Sequence, residues 1–248
     1  MAPVAGTSGV PLLVRTRAAD RIGAMFDGIA RRYDLLNRVL SLQRDQRWRR
    51  LAAQLVLASR PRTVLDVATG TADLPLMLTD LNPQVRVTGV DIATEMLARG
   101  RIKAQHHRGG DRVELRPGNA LQLPVASASV DAVTIAFGIR NVADYRTALG
   151  EMYRVLRPSG TLAILEFALP SHPLVRLPYL FYFRHLLPLV GGLISGNASA
   201  YRYLNRSVES FPSGPAFSQL LGQTGFERVR RLALTFGIAA IYCARKPA

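Results

Sequence analysis

The spacing of apolar residues changes period along the chain, and each change marks an element. From Asp20 onward, Ile22, Met25, Phe26 and Ile29, then Tyr33 and Leu36, recur at helical spacing. A second helix is predicted over 44–58. It carries Trp48, Leu51, Leu55 and Val56 on one face and Arg44, Arg47 and Arg50 on the other, and Pro61 stops it. Val64, Leu65 and Val67 then make a short β-rich run that breaks into Ala68-Thr69-Gly70-Thr71-Ala72, and Leu74, Met77, Leu78 and Leu81 resume the helical period. Strands follow over 85–90, 112–116, 130–137 and 161–166, separated by helical patterns over 93–103 and 145–156. A last helix precedes two strand patterns, 229–235 and 238–244. Strand–helix alternation closed by a strand pair predicts an α/β domain: a mostly parallel seven-stranded sheet with an antiparallel C-terminal hairpin strand and N-terminal helices.

Two stretches fall outside this alternation. Residues 1–19 are small, polar and basic and are expected to be a mobile tail, leaving one domain over 20–248. Residues about 169–205 mix aromatic and aliphatic residues with scattered cations, among them Tyr179, Phe181, Phe183, Arg184, His185, Tyr201 and Tyr203. They read as a helical cap insert with an apolar wall, suited to a greasy substrate or a bilayer; the alternatives are a core helix or a homodimer contact.

Composition narrows the classes. The net charge of +15 admits anionic surfaces as partners, but no helix-turn-helix, zinc-finger or RNA-binding signature is present, so no nucleic-acid partner is expected. One cysteine and four histidines without ligand spacing predict no metal site. No secretory signal is apparent, and the apolar stretch 174–194 is interrupted by Arg176, Pro178, Arg184, His185 and Pro188. A cytoplasmic protein resting on the inner face of a membrane is therefore expected.

The chemistry concentrates after the first strand. Small residues from Ala68 to Ala72 let a ligand approach backbone N–H groups at a helix N-terminus. Asp91 ends the second strand, where an acid accepts hydrogen bonds from ribose hydroxyls. The dinucleotide fingerprint fails, because Asp73 stands at its last glycine. A diphosphate would be repelled by Asp66 and Asp73, whereas a sulfonium cation with an amino-acid tail would not be, so the turn reads as a site for S-adenosylmethionine. Asn119, in a turn after the third strand, either bonds an adenine edge or only makes the turn. Arg140 and Asn141 follow the fourth strand and are aimed at the same crevice, Arg140 as a functional cation or as half of a structural ion pair. Glu166 lies at the next strand's tip.

Several blocks together resemble the UbiE/MenG family of quinone C-methyltransferases. They include Met25-Phe26-Asp27-x-Ile29-Ala30-x-x-Tyr33-Asp34-x-x-Asn37 and Leu65-Asp66-x-Ala68-x-Gly70-Thr71-x-Asp73-Leu74. Phe137-Gly138-Ile139-Arg140-Asn141-Val142-x-Asp144 and Tyr201-x-Tyr203-Leu204-x-x-Ser207-Val208 are the more specific of the set. The resemblance implies a Rossmann-like class I fold and methyl transfer from S-adenosyl-L-methionine to a ring carbon of a prenylated quinol. The expected reaction takes demethylmenaquinol to menaquinol. The alternatives are a 2-methoxy-6-polyprenyl-1,4-benzoquinol substrate in ubiquinone biosynthesis and, from another class, a non-catalytic nucleotide- or lipid-binding subunit.

The donor contacts implied are Thr71, Asp91, Asn119 and Ala120, beside Asp66 and Gly70 of the turn. Ala136 stands where some members carry Ser, and Ala72 replaces a common glycine. For catalysis, Arg140 is expected to stabilise a developing phenolate, Asn141 to orient the ring or donor, and Tyr33 to act as a proton relay or lid, with Asp34 or water taking the proton.

Overall fold

The computed structural model of this 248-residue chain describes residues 12–31, 33–41, 43–186 and 198–248. Its organising element is β1 (Thr63–Val67), central in a seven-stranded sheet of order β3-β2-β1-β4-β5-β7-β6. β2 (Arg86–Asp91), β3 (Val113–Pro117), β4 (Val130–Ala136) and β5 (Leu156–Phe167) run parallel to β1. β7 (Ala239–Arg245) is antiparallel to β5 and to β6 (Glu227–Leu234). The strand order reverses between β1 and β4, the switch point at which an open α/β sheet leaves a crevice.

The period-2 pattern of the central strands is what selects this layering. Leu65 and Val67 of β1 pack with Val133 and Ile135 of β4 on one face, under Leu149 and Met152 of α6 (Tyr145–Val155) and Phe217 and Leu221 of α9 (Pro215–Gln223). Val64 and Ala132 point to the opposite face. They meet Ala53 and Val56 of α3 (Arg44–Leu57) and Leu74 and Leu78 of α4 (Asp73–Leu81). Strands buried on both faces must be apolar throughout. The buried exceptions in β1 and β4, Asp66 and Thr134, are register neighbours that satisfy each other: Thr134 Oγ1 donates to Asp66 Oδ1 at 2.6 Å.

The first helix starts earlier than its apolar pattern suggests: α1 spans Leu12–Ile29 rather than beginning at Asp20. Residues 12–19, assigned above to the tail, are therefore helical, and the rest of that stretch lies outside the described residues. Phe26, Ile29 and Tyr33 pack on Ala93 and Met96, where α5 (Thr94–Gln105) begins. α2 (Tyr33–Leu40) follows, and its first turn reaches the glycine turn after β1. β5 begins at Leu156, five residues before the predicted Thr161. A register shift between Val130 and Ala132 of β4 accommodates the Arg157–Gly160 turn inside it.

The insert contains α7 (Pro173–Phe181), a π turn over Tyr182–Leu186 and α8 (Ala198–Ser210). The part of the insert over 187–197 lies outside the described residues. Phe183 and Val208 form its small core with Tyr179 and Leu204. Asn205 Nδ2 bonds Phe183 O at 2.7 Å, holding α8 to the π turn.

Candidate functional site

Two neighbouring cavities open at the C-terminal ends of β1, β2, β4 and β5. The turn cavity, about 90 Å³, is lined by Gly70, Asp91, Asn119, Ala120, Ala136 and Asn141, under Ile22 and Phe26 of α1. The aromatic cavity, about 300 Å³, is lined by Trp48, Phe137, Arg140, Phe167, Tyr179, Tyr182, Phe183 and Tyr203, with Met25, Ile29 and Asn37 from the N-terminal helices. Phe26, Tyr33 and Phe137 line both, so these three rings form the partition.

The turn cavity is built by backbone. Gly70 adopts a left-handed conformation (φ +57°), and a Cβ there would project to 4.0 Å from the Tyr33 ring. Gly138 is required by close approach, since its Cβ would sit 2.5 Å from the Ala68 Cβ. Asp91 Oδ2 accepts from Gly70 N at 2.7 Å and Oδ1 from Ala93 N at 2.8 Å, which holds the strand-tip acid across the mouth of the turn. Burial raises the Asp91 pKa, and those backbone N–H groups oppose the rise. Asn119 Oδ1 accepts from Leu121 N at 2.9 Å, so its side chain makes the turn and also lines the cavity.

Asp66, Thr71 and Ala136 border a small recess on the far side of Gly70, together with Arg49 and Asp73; of the three, only Ala136 also lines the turn cavity. Asp66 accepts from the hydroxyls of Thr134 (2.6 Å) and Thr69 (2.7 Å). Burial pushes its pKa up to about 6 despite both bonds. Thr71 is buried, and its hydroxyl donates to Asp34 Oδ1 at 2.6 Å. Asp34 also receives Lys103 Nζ at 2.8 Å and lines neither cavity, which makes it a tether of α2 rather than an acceptor facing a substrate.

Of the two roles its position left open, Arg140 is half of a structural ion pair, and it also lines the aromatic cavity. Its Nη1 donates to Glu166 Oε1 at 2.7 Å and to Phe137 O at 2.5 Å, its guanidinium lies 5.3 Å from the Phe167 ring centroid, and it lines the aromatic cavity. Phe137, whose carbonyl it holds, has φ +60°, a strained conformation for an aromatic residue at the junction of the cavities. Asn141 lines the turn cavity and reaches the same carbonyl at 3.4 Å. Arg140 Nε and Asn141 Oδ1 are buried without hydrogen-bond partners, as only two other side-chain atoms are among the described residues. Such orphans are expected where a ligand supplies the missing partner. Tyr33 stands between the cavities, and burial raises its pKa, with Arg49 and Asn37 pulling it back.

The predicted apolar face of α3 does bury Trp48 and Val56, but sequence reasoning missed the ion pair beside them. Arg49 lies there beside Asp45 (3.1 Å) and 5.0 Å from the Phe137 ring centroid, while Arg44, Arg47 and Arg50 are exposed. Its signal was the spacing Asp45, Arg49, Ala52, Ala53, Val56, which puts an ion pair on the apolar stripe. The aromatic lining also went unassigned: Phe137 and Phe167 (4.5 Å between centroids) and Trp48, whose Nε1 bonds Thr235 at 3.0 Å, come from three separate segments.

Residues 15–246 match the ubiE/COQ5 methyltransferase family. The chain is 51% identical over 223 residues to the demethylmenaquinone methyltransferase of Thermus thermophilus, covering 90% of this chain and all of that one. It is 45% identical over 228 residues to the ubiquinone/menaquinone biosynthesis C-methyltransferase UbiE of Citrifermentans bemidjiense (92% and 97%). Among solved structures, a SAM-dependent methyltransferase from Thermotoga maritima superposes with a TM-score of 0.60 at 18% identity, over 90% of this chain and 98% of that one.

Proposed function

Because the chain belongs to the ubiE/COQ5 methyltransferase family, we propose that the turn cavity is its S-adenosyl-L-methionine site and the aromatic cavity the site of a prenylated quinol. The protein is an S-adenosyl-L-methionine-dependent methyltransferase, and its product is a ring-C-methylated quinol. Demethylmenaquinol is the favoured acceptor, since the Thermus relative carries that name; the UbiE name also covers the benzoquinol of ubiquinone biosynthesis.

One observation carries the assignment of sites: consecutive residues, Arg140 and Asn141, serve adjacent cavities, and each keeps one buried polar atom without a partner. The donor, when bound, supplies an electrophilic sulfonium methyl. Asp91 fits its ribose and Asn119 and Ala120 its adenine, while Asp66 and Thr71 act from the recess beneath Gly70.

The acceptor ring must become a carbon nucleophile. Loss of a hydroxyl proton, with a pKa near that of tyrosine at roughly 10, sends electron density to the ortho carbon. Arg140, fixed by Glu166 and by Phe137 O, offers its guanidinium to the resulting phenolate in a cavity walled by aromatic rings. Tyr33 holds the ring against the partition and relays the proton, and Asn141 orients the donor side. The methyl would arrive as its bond to sulfur breaks, the donor leaving as a neutral thioether, and the ring carbon then gives its proton to water so that aromaticity returns.

The insert extends the site outward. Tyr179, Tyr182 and Phe183 line the aromatic cavity, while Leu174, Leu177 and Phe181 of α7 are 79%, 70% and 61% exposed, with Arg176 and Arg184 beside them. None of the described helices is long and apolar enough to cross a membrane. This ledge, with the net charge of +15, supports peripheral docking on the anionic cytoplasmic face of a bilayer from which the prenyl tail need not leave. A second copy of the chain is the competing occupant.

The test is methyl incorporation from labelled S-adenosyl-L-methionine into short-chain demethylmenaquinol and into the matching benzoquinol. Label in the methyl group newly borne by the naphthoquinol ring is the expected result. Donor uptake with no label in either quinol would overturn the acceptor assignment.

A further inference from the structure

Beside the two cavities lies a charge cluster that lines neither of them and that shares Thr71 and Asp73 with the recess beneath Gly70. Lys103 Nζ is 2.8 Å from Asp34 Oδ2 and 3.1 Å from Thr71 Oγ1, and it also contacts Asp73 Oδ1. Thr71 Oγ1 in turn bonds the other oxygen of Asp34. Three elements meet at this nitrogen: the last turn of α5, the first turn of α2 and the first turn of α4. Each charge sits at the helix end whose dipole favours it, the cation at a C-terminus and the acids at N-termini.

The residue type is informative. The chain has 32 cationic side chains, and all but Lys103 and Lys246 are arginines. An ammonium presents three donors around one point, and here three oxygens surround one point. A guanidinium spreads its donors in a plane and cannot meet them. Asp34 follows Tyr33 directly, so whatever fixes Asp34 fixes the ring that separates the cavities.

We propose that Lys103 is a positioning residue for methyl transfer, clamping α2 onto the glycine turn so that Tyr33 stays in the partition. Without the ammonium, Asp73 keeps Arg49 and Gln46 as neighbours, but Asp34 loses the cation it shares with Asp73 and meets that carboxylate as a like charge, so the first turn of α2 lifts away. The donor cavity then loses a wall. The inference rests on the donor-site assignment above for its purpose, but not for the clamp itself.

Hydrogen–deuterium exchange on the ligand-free protein reads the clamp. Lys103→Met is expected to raise exchange across residues 33–40 at least tenfold while leaving β1 and β4 protected. Lys103→Arg should behave alike, and adding Asp34→Asn to Lys103→Met should recover most of the protection by removing the repulsion. Calorimetry and kinetics read the consequence. Donor affinity should fall about tenfold in Lys103→Met, and in Lys103→Ala, which leaves room for it, methylammonium but not guanidinium should restore part of the loss. Wild-type donor affinity should also weaken with added salt more steeply than that of the variant, because the cluster is partly exposed. Unchanged exchange over 33–40 in Lys103→Met, or an Arg variant equal to wild type, overturns the clamp. Failure of the wild type to bind donor would instead strike the donor-site assignment, with the exchange result standing by itself.

Discussion

Arg140 Nη1 lies 2.7 Å from Glu166 Oε1, and the two side chains are 5% and 0% exposed. A buried pair of this kind contributes little net stability, yet removing one partner strands a charge and costs about 3–5 kcal/mol. Single substitutions at either position therefore confound folding with catalysis. The double variant Arg140→Gln/Glu166→Gln removes both charges. It is expected to unfold within about 2 kcal/mol of wild type in urea and to bind donor normally, while kcat falls at least 100-fold. Normal turnover in the double variant would remove Arg140 from the chemistry.

Asp91 is engaged by Gly70 N–H and Ala93 N–H, so it shapes the turn as well as facing the cavity. Asp91→Ala is expected to weaken S-adenosyl-L-methionine binding by about 10- to 100-fold, the value of a charged hydrogen bond of about 1.5–3 kcal/mol. Titration calorimetry measures it. The quinol KM should change far less.

The Asp66 pKa of about 6 gives the ligand-free protein a distinctive pH dependence. A carboxyl whose pKa is higher folded than unfolded contributes stability that is complete below its unfolded pKa and is lost as pH rises through its folded one. Relative to the ordinary value of 3.8, the loss is roughly 3 kcal/mol by pH 8. Asp66→Asn keeps groups for both threonine hydroxyls and cannot ionise. Urea unfolding should find it close to wild type near pH 4 and more stable by about 2–3 kcal/mol at pH 8.

Gly138→Ala forces a methyl to 2.5 Å from the Ala68 Cβ, where the loop after β4 meets the turn after β1. Overpacking of this kind costs about 1–3 kcal/mol. The displaced turn should also lose donor affinity, so the thermal midpoint and the donor Kd should worsen together.

Leu174→Asp with Leu177→Asp leaves the described core untouched, because both residues are exposed. Flotation with anionic vesicles should show the wild type with the lipid and the double variant in the soluble fraction. Turnover of short-chain quinol in detergent should be unchanged. Loss of self-association without any change in flotation would assign the ledge to a second copy.

The sheet was legible because its strands announce themselves twice, by β-rich runs and by the turns that end them. Val64–Val67 before Gly70, and the alternation ending at Asp91, place the turn cavity with no further information. The aromatic cavity was not legible in the same way. The insert's share of its wall, Tyr179 and Tyr203, is set apart by the sequence, but Trp48, Phe137 and Phe167 stand far apart in the chain and look, one at a time, like ordinary core. Element starts were misread where a local pattern was weak: α1 extends through polar residues back to Leu12, and β5 absorbs Arg157–Gly160 through an irregular register. Arg49 was hidden among exposed arginines, and only its helical offset from Asp45 separates it from them.

The three-ring partition of Phe26, Tyr33 and Phe137 has a chemical corollary for inhibitor design. Two chambers that share one thin wall can be filled by a single molecule. An adenosine head joined to a short-tailed hydroxynaphthalene by a linker a few atoms long would gain from both rooms at once, since the second contact becomes intramolecular. Selectivity would come from the linker's width, which must thread between a tyrosine and two phenylalanines.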